Sequence, residues 1–449
     1  MSKRFSVLVN KKIKKFSNKS IVVDSDKSIT HRCFFIAANC IGVSKIKGLV
    51  SEDINTTINS LRLLGIKILK KKEFYYVYGN GISGFKKFSG TIYCGNSGTT
   101  SRSVLGLLSC YPHPVTVTGD PSLKKRPFKR LTYFLEKIGA NITHPINKKF
   151  QLPIKICGTK NWPLAQCHNL KIPSAQIKTA LIYAGLQTPG ITEIIETPTR
   201  DHTEIILKYI GADLKVKKIS KKKNIISIRG LKEMHAFSID VPSDPSSACF
   251  FVVQTLLSKN SSLLIKKVCI NKTRYGFIKI LKKMSGKIKI LNKKKNLGEE
   301  VADIFVQSSD LKSINCPKEI IASCVDDLPA IWIACALAKG TSYFKGISEL
   351  RLKESDRIKN ISEGLKAFNI KTSSTKDSLK IFGCPAIKKN KQIKISAALD
   401  HRIAMCFFIF AQVTGSSVLI SGFETVKSSF PNFLNLQKKI GAKYEIKKN

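Results

Sequence analysis

The chain has 449 residues, 43% of them hydrophobic, which suits two or three domains with sizeable cores. Its 77 basic and 30 acidic side chains leave a formal charge of +47, yet the lysines fall in short scattered runs such as Lys70-Lys71-Lys72 and Lys293-Lys294-Lys295. That pattern reads as solvated faces, not as the single basic, aromatic-interleaved element of a nucleic-acid-binding protein. The thirteen cysteines form no C-x-x-C pair and several lie in apolar runs, so reduced thiols are expected, with no disulfide framework and no metal site. No run reaches a membrane-spanning length and the basic N-terminus lacks the apolar core of a signal peptide; the expectation is a cytoplasmic protein with no membrane partner.

Taken in chain order, one phrase recurs six times: a polar start, a helical apolar period, a stop that favours the left-handed conformation, then a strand-like run. The copies are SEDINTTINSLRLLGIKIL, RPFKRLTYFLEKIGANI, TRDHTEIILKYIGADLKV, TRYGFIKILKKMSGKIKI, KESDRIKNISEGLKAFNIKT and SSFPNFLNLQKKIGAKYEI. Their stops are Gly65, Gly139, Gly211, Ser285, Asn369 and Gly441, spaced by 74, 72, 74, 84 and 72 residues. The fourth copy has Ser285 before Gly286 and reads as a one-residue slip. Units of about 75 residues, mixed strand and helix, therefore fill the chain and group as two domains of three.

Between the copies lie the charged motifs. SDKSITHR follows the strand-like SIVV and places Lys27, Ser28 and Arg32 ahead of the helix RCFFIAANC. CGNSGTTSR is a glycine-rich turn around Gly98 that leads into a helix; glycine lets a ligand approach the backbone. GDPSLKKRPF sets Arg126 before a proline suited to a first helical position. PSAQIKTALIYAGLQTPG begins with Ser174, Ala175 and Gln176 and runs on as a nearly charge-free helix. VDDLPAIW offers Asp326 and Asp327, one as a base and one as a cap. LKESDRIKNI crowds Lys353, Glu354, Asp356 and Arg357 at a helix start, where Glu354 has the setting of a proton shuttle. DHRIAMCFFIF repeats the theme with Asp400, His401 and Arg402.

Arginine is scarce here: twelve in all. A guanidinium offers a planar fork for carboxylate or phosphate, which an ammonium does not. Arg126, Arg200, Arg274 and Arg357 stand at or near helix starts, where backbone N–H groups favour anions. Small anionic ligands are the expected partners.

These motifs, in this order, closely resemble the EPSP synthase (3-phosphoshikimate 1-carboxyvinyltransferase) family from about Ile21 onward. The resemblance rests on DKSITHR, GNSGTTSR, GDPSLKKRP, PSAQIKTA, TRDHTE, DPSSA, LRLKESDRI and DHRIAM. SAQIK, DPSSA and KESDR are similar to its second class, which includes glyphosate-tolerant members. The resemblance implies an α/β (α+β) fold, a two-domain inside-out α/β barrel with three βαβαββ units per domain. It implies a discontinuous domain of residues 1–22 and 241–449, a second of 23–240, and an active site in the cleft between them. It implies transfer of the enolpyruvyl group of phosphoenolpyruvate to the 5-hydroxyl of shikimate 3-phosphate, without a cofactor, by a monomer.

Carried over motif by motif, the resemblance implies that Lys27, Ser28, Arg32, Ser174, Ala175, Gln176, Arg200, Asp326 and Lys353 bind shikimate 3-phosphate. It assigns phosphoenolpyruvate to Lys27, Gly98, Arg126, Gln176, Arg357 and Arg402, and catalysis to Asp326, Glu354 and Lys27. Tolerant members usually carry alanine at the position of Gly98, so glyphosate sensitivity is expected. Some relatives have lysine immediately before Thr-Phe-Pro; Lys427, in VKSSFP, stands one position earlier and is given no contact. Two other readings compete: an enolpyruvyl transferase acting on UDP-N-acetylglucosamine, whose reactive loop cysteine is missing from GDPSLKKRP, and a basic nucleic-acid-binding protein.

Overall fold

Each of the six repeated helices stops on a residue in the left-handed region. In the computed structural model φ is 89° at Gly65, 114° at Gly139, 83° at Gly211, 72° at Ser285, 60° at Asn369 and 104° at Gly441. Ser285 takes the conformation itself, so the fourth copy contains no slip into Gly286. Residues 4–144, 150–159, 161–220, 222–387 and 391–448 are described.

The chain divides into two compact units. One is Met1–Ser25 with Pro242–Lys295 and Glu300–Asn449; the other is Asp26–Val241 with Asn296–Glu299. The second unit contains three four-stranded sheets of one pattern. Gly90–Tyr93 pairs in parallel with Val115–Thr118, which pairs antiparallel with Ile154–Cys157 and through it with Asn141–Thr143. Cys167–Asn169, Ile191–Glu196, Asn224–Arg229 and Leu214–Lys218 repeat it. In the remaining sheet the parallel strand is Ser238–Asp240, from the end of the unit, beside Ile41–Lys47 from its beginning.

The first unit varies the pattern. Lys19–Ile21 runs parallel to Ser262–Cys269. Phe5–Val9 lies between Val418–Ser421 and Glu445–Lys448, both antiparallel to it. The Thr341–Lys345 sheet has three strands, and isolated parallel bridges at Lys312 and Asn315 stand where the others have a full strand.

Two kinds of helix follow from two kinds of sequence. Lys27–Ala38, Gly98–Leu108 and Ala175–Leu186 in one unit are buried almost all round, as are Pro245–Leu257, Leu328–Ala336 and His401–Thr414 in the other. A helix apolar on every face belongs inside a core. The repeated phrases form helices with one buried stripe, such as Lys129–Ile138, which buries Leu131, Leu135 and Ile138. Inner helices approach closely: a Cβ on Gly106 would lie 2.4 Å from the Ala180 carbonyl oxygen, so glycine is required there. Aromatic rings fill the first unit's core, with Phe408 and Phe433 5.2 Å apart.

Candidate active site

In the second unit the motifs lie at the starts of the three inner helices. Asp26 caps the first, accepting from the Ile29 N–H at 2.7 Å, so that helix begins at Lys27, five residues ahead of the Arg32 start that the sequence suggested. Lys27 sits in its first turn, and its ammonium is 2.9 Å from Asp53. Arg32 lies a turn further on and is 3% exposed. It donates to Thr203 Oγ1 at 2.9 Å, the Ser28 carbonyl at 2.8 Å and Thr179 Oγ1 at 3.1 Å. Burial pulls its guanidinium below the ordinary arginine range. Arg200 donates to Ser28 Oγ at 3.5 Å.

The second inner helix begins at Gly98, capped by Ser97. Three nitrogens converge there. A Cβ on Gly98 would lie 2.7 Å from Arg102 Nη1, 3.1 Å from Arg126 Nη1 and 3.9 Å from Gln176 Nε2. Arg126 donates to the Asn96 amide oxygen, and Arg102 to the carbonyls of Gly98 (3.1 Å) and Pro127 (3.3 Å). Gln176 donates to Thr99 Oγ1 at 3.2 Å. A chain of hydroxyls fixes the turn from behind: His31 Nδ1 to Thr57 Oγ1 at 2.8 Å, Thr57 to Thr100 at 2.7 Å, Thr100 to Ser97 at 2.8 Å. The third helix is capped by Ser174, whose Oγ accepts from the Ile177 N–H at 3.4 Å. Ser174, Ala175 and Gln176 are half-buried. Two guanidiniums, a carboxamide and a glycine backbone at one helix start make a cradle for an anion.

In the first unit the centre is Arg357, the first residue of the Arg357–Lys366 helix and 1% exposed. Its Nε is 2.8 Å from Asp400, its Nη1 3.2 Å from Asp326, and its Nη2 2.6 Å from Glu354. Burial alone would lower this guanidinium; Asp400, Glu354 and Asp326 outweigh it and lift it above its ordinary value. Lys353 shares Asp326 at 3.3 Å. Arg402 lies 3.8 Å from Asp327, which occupies the cap position of Leu328–Ala336 without a side-chain capping bond. Asp326, Glu354, Lys353 and Arg357 therefore meet in one charged cluster, in which Asp326 and Glu354 are joined through a single guanidinium, while Arg402 pairs with Asp327.

Other sequence candidates lie elsewhere. Arg274 is 2% exposed and donates to Asp244 at 3.1 Å and Ser246 at 2.9 Å, which fixes the start of an inner helix. Lys427 places its ammonium 5.4 Å from the Phe5 ring centroid. Sequence reasoning missed Arg102, Asn96 and Asp53 as partners of the site, and named Asp400 without its bond to Arg357. Arg102 and Asn96 carried a signal, since both lie inside the quoted glycine-rich motif. Among the described residues, no helix is long and apolar enough to cross a membrane.

Comparison with known proteins gives a consistent picture. The family described as EPSP synthase (3-phosphoshikimate 1-carboxyvinyltransferase) matches residues 11–436. A 3-phosphoshikimate 1-carboxyvinyltransferase from Zymomonas mobilis is 39% identical over 98% of this chain and 97% of its own. The crystal structure of an EPSP synthase from Acinetobacter baumannii superposes with a TM-score of 0.84 at 35% identity, covering 99% of this chain and 100% of that one. The enolpyruvyl transferase NikO from Streptomyces tendae has a TM-score of 0.77 at 11% identity over 100% of both chains, a likeness of fold alone.

Proposed function

The chain belongs to the EPSP synthase family and has its two-domain inside-out α/β fold, and from that premise we propose which residues carry the reaction. The reaction is transfer of the enolpyruvyl group of phosphoenolpyruvate to the 5-hydroxyl of shikimate 3-phosphate, a step of aromatic amino acid biosynthesis; the products are 5-enolpyruvylshikimate 3-phosphate and phosphate. The observation that carries the residue assignment is the convergence of Arg102, Arg126 and Gln176 on Gly98.

In this reading the phosphoenolpyruvate anion rests on the Gly98 backbone and is clamped by Arg126, with Lys27, Gln176, Arg357 and Arg402 completing its neutralisation. Shikimate 3-phosphate takes its phosphate contacts from Ser174, Ala175 and Arg200. Ser28 and Arg32 meet its carboxylate, and Gln176, Lys27, Asp326 and Lys353 its ring. Asp326 accepts the proton of the 5-hydroxyl as that oxygen bonds to C2 of phosphoenolpyruvate. In the same step the C2=C3 π electrons take a proton from Glu354 at C3, which frees C2 for the new C–O bond. In the second half the C3 proton returns, the double bond re-forms, and phosphate leaves with the C2–O electron pair. Arg357, hydrogen-bonded to both carboxylates, holds proton acceptor and proton donor in fixed register.

In this reading the two domains, expected at 1–22 with 241–449 and at 23–240 and divided in the structure after Ser25 and Val241 with Asn296–Glu299 joining the second, each supply one centre. The protein acts as a cytoplasmic monomer without a nucleic-acid partner. The test is phosphate release from phosphoenolpyruvate with shikimate 3-phosphate, with UDP-N-acetylglucosamine, and with no acceptor. Release with shikimate 3-phosphate alone is the expected result; release with the nucleotide sugar instead overturns the reading.

A further inference from the structure

Lys178 is the one cation inside an otherwise apolar inner helix, Ala175–Leu186, and it is fully buried. Its ammonium is 2.7 Å from Glu196 Oε1 and 2.7 Å from Glu204 Oε1, and those carboxylates are 2% and 5% exposed. Burial alone would lower the Lys178 ammonium; the two carboxylates outweigh it and keep it charged. Removing three charges from water is costly, and an apolar side chain of similar size would serve stability at least as well. The cluster calls for another reason, and its connections supply one.

Glu196 is the last residue of the Ile191–Glu196 strand, and Glu204 lies in the first turn of the His202–Tyr209 helix. Between them runs the loop that carries Arg200. Lys178 therefore grips the chain on both sides of that loop. From within the loop, Thr199 Oγ1 donates to Glu196 Oε2 at 2.7 Å. The neighbouring Thr179 meets Thr203 at 2.8 Å, and both hydroxyls accept from Arg32. The helix held this way is the one that begins with Ser174, Ala175 and Gln176.

We propose that Lys178, with Glu196 and Glu204, is the positioning centre of the shikimate 3-phosphate subsite, holding the Arg200 loop in register with the Ser174–Gln176 helix start. The proposal rests on the assignment of those residues to shikimate 3-phosphate made above. Lys178 touches no reacting atom; it acts through Arg200 and the helix start.

Lys178→Met would leave two carboxylates buried side by side, so the discriminating variants are milder. Thr199→Val removes the loop's hydroxyl and keeps its shape; Thr199→Ser keeps the hydroxyl. The full-length protein is assayed with each. Thr199→Val should raise KM for shikimate 3-phosphate about fivefold, the effect of one lost hydrogen bond to a charged group, while KM for phosphoenolpyruvate changes less than about twofold. Thr199→Ser should restore the wild-type value. Equal changes in both KM values, or no change in either, overturn the proposal.

A second measurement needs no substrate. Amide exchange over residues 197–201 should be faster in Thr199→Val than in Thr199→Ser, and equal exchange would overturn the positioning role. If the wild type fails to use shikimate 3-phosphate, the substrate assignment fails by itself and the exchange comparison still decides whether the triad fixes the loop.

Discussion

The two charged centres differ in the hydrogen bonds that place their guanidiniums. Around Gly98, Arg126 donates to a side-chain amide, Arg102 to backbone carbonyls, and Arg200, at the neighbouring helix start, to a hydroxyl. Arg357, in the other unit, donates to three carboxylates. Those bonds to neutral oxygens fix where the guanidiniums stand beside the Gly98 backbone. Arg357 in addition orients the carboxylates it donates to. The first arrangement suits binding of phosphate and carboxylate, the second suits control of proton transfer.

The same substitution in each centre should therefore give opposite readouts. Arg357→Met removes one shared cation from three carboxylates, one of them the fully buried Asp400. It should lower unfolding stability by about 3–5 kcal/mol, read by urea denaturation. Arg126→Met should cost only about 1–2 kcal/mol by the same measure, yet raise KM for phosphoenolpyruvate by about ten- to a hundredfold. Equal stability losses would break the contrast.

Gly98→Ala sharpens it. The new methyl would stand 2.7 Å from Arg102 Nη1 and 3.1 Å from Arg126 Nη1, and both guanidiniums must give way. The expected result is a rise of about three- to tenfold in KM for phosphoenolpyruvate, with KM for shikimate 3-phosphate nearly constant. Glyphosate inhibition, measured on the same pair, should weaken more than phosphoenolpyruvate binding does.

The smallest effect concerns acid. His168, in the second unit and 1% exposed, is pushed down to about 4 by burial. The unfolded chain binds that proton near pH 6.5, so stability is complete above 6.5 and declines as pH falls towards 4. From pH 6.5 to 5.5 the loss should be about 1 kcal/mol, measured by urea unfolding, and His168→Leu should remove that share of the slope.

Much of this was legible in the sequence because its signals are local. The helix stops, including Ser285 and Asn369, mark a left-handed residue wherever they stand. The inner helix Ala175–Leu186 declared itself by being nearly charge-free. The motif residues carried the site because each charged cluster stands at a helix start. What stayed hidden depends on distant partners. Nothing near Ser238–Asp240 says that it completes a sheet with Ile41–Lys47, nearly two hundred residues earlier. Asp400 stands out only as a charged residue ahead of an apolar helix; it caps that helix by accepting from the Arg402 N–H at 2.9 Å, and its second role as the Arg357 counterion appears only in three dimensions. Lys178 was passed over inside a run that reads as charge-free, although a lone lysine among apolar residues was the available signal.

The most direct test separates binding from turnover. Shikimate 3-phosphate binding by calorimetry and phosphate release are measured on Glu354→Gln and Arg200→Met. Glu354→Gln should bind as the wild type does while its turnover falls by about a hundred- to ten-thousandfold. Arg200→Met should lose affinity by about ten- to a hundredfold. Near wild-type turnover in Glu354→Gln, or unchanged binding in Arg200→Met, would contradict the division of labour between the two centres.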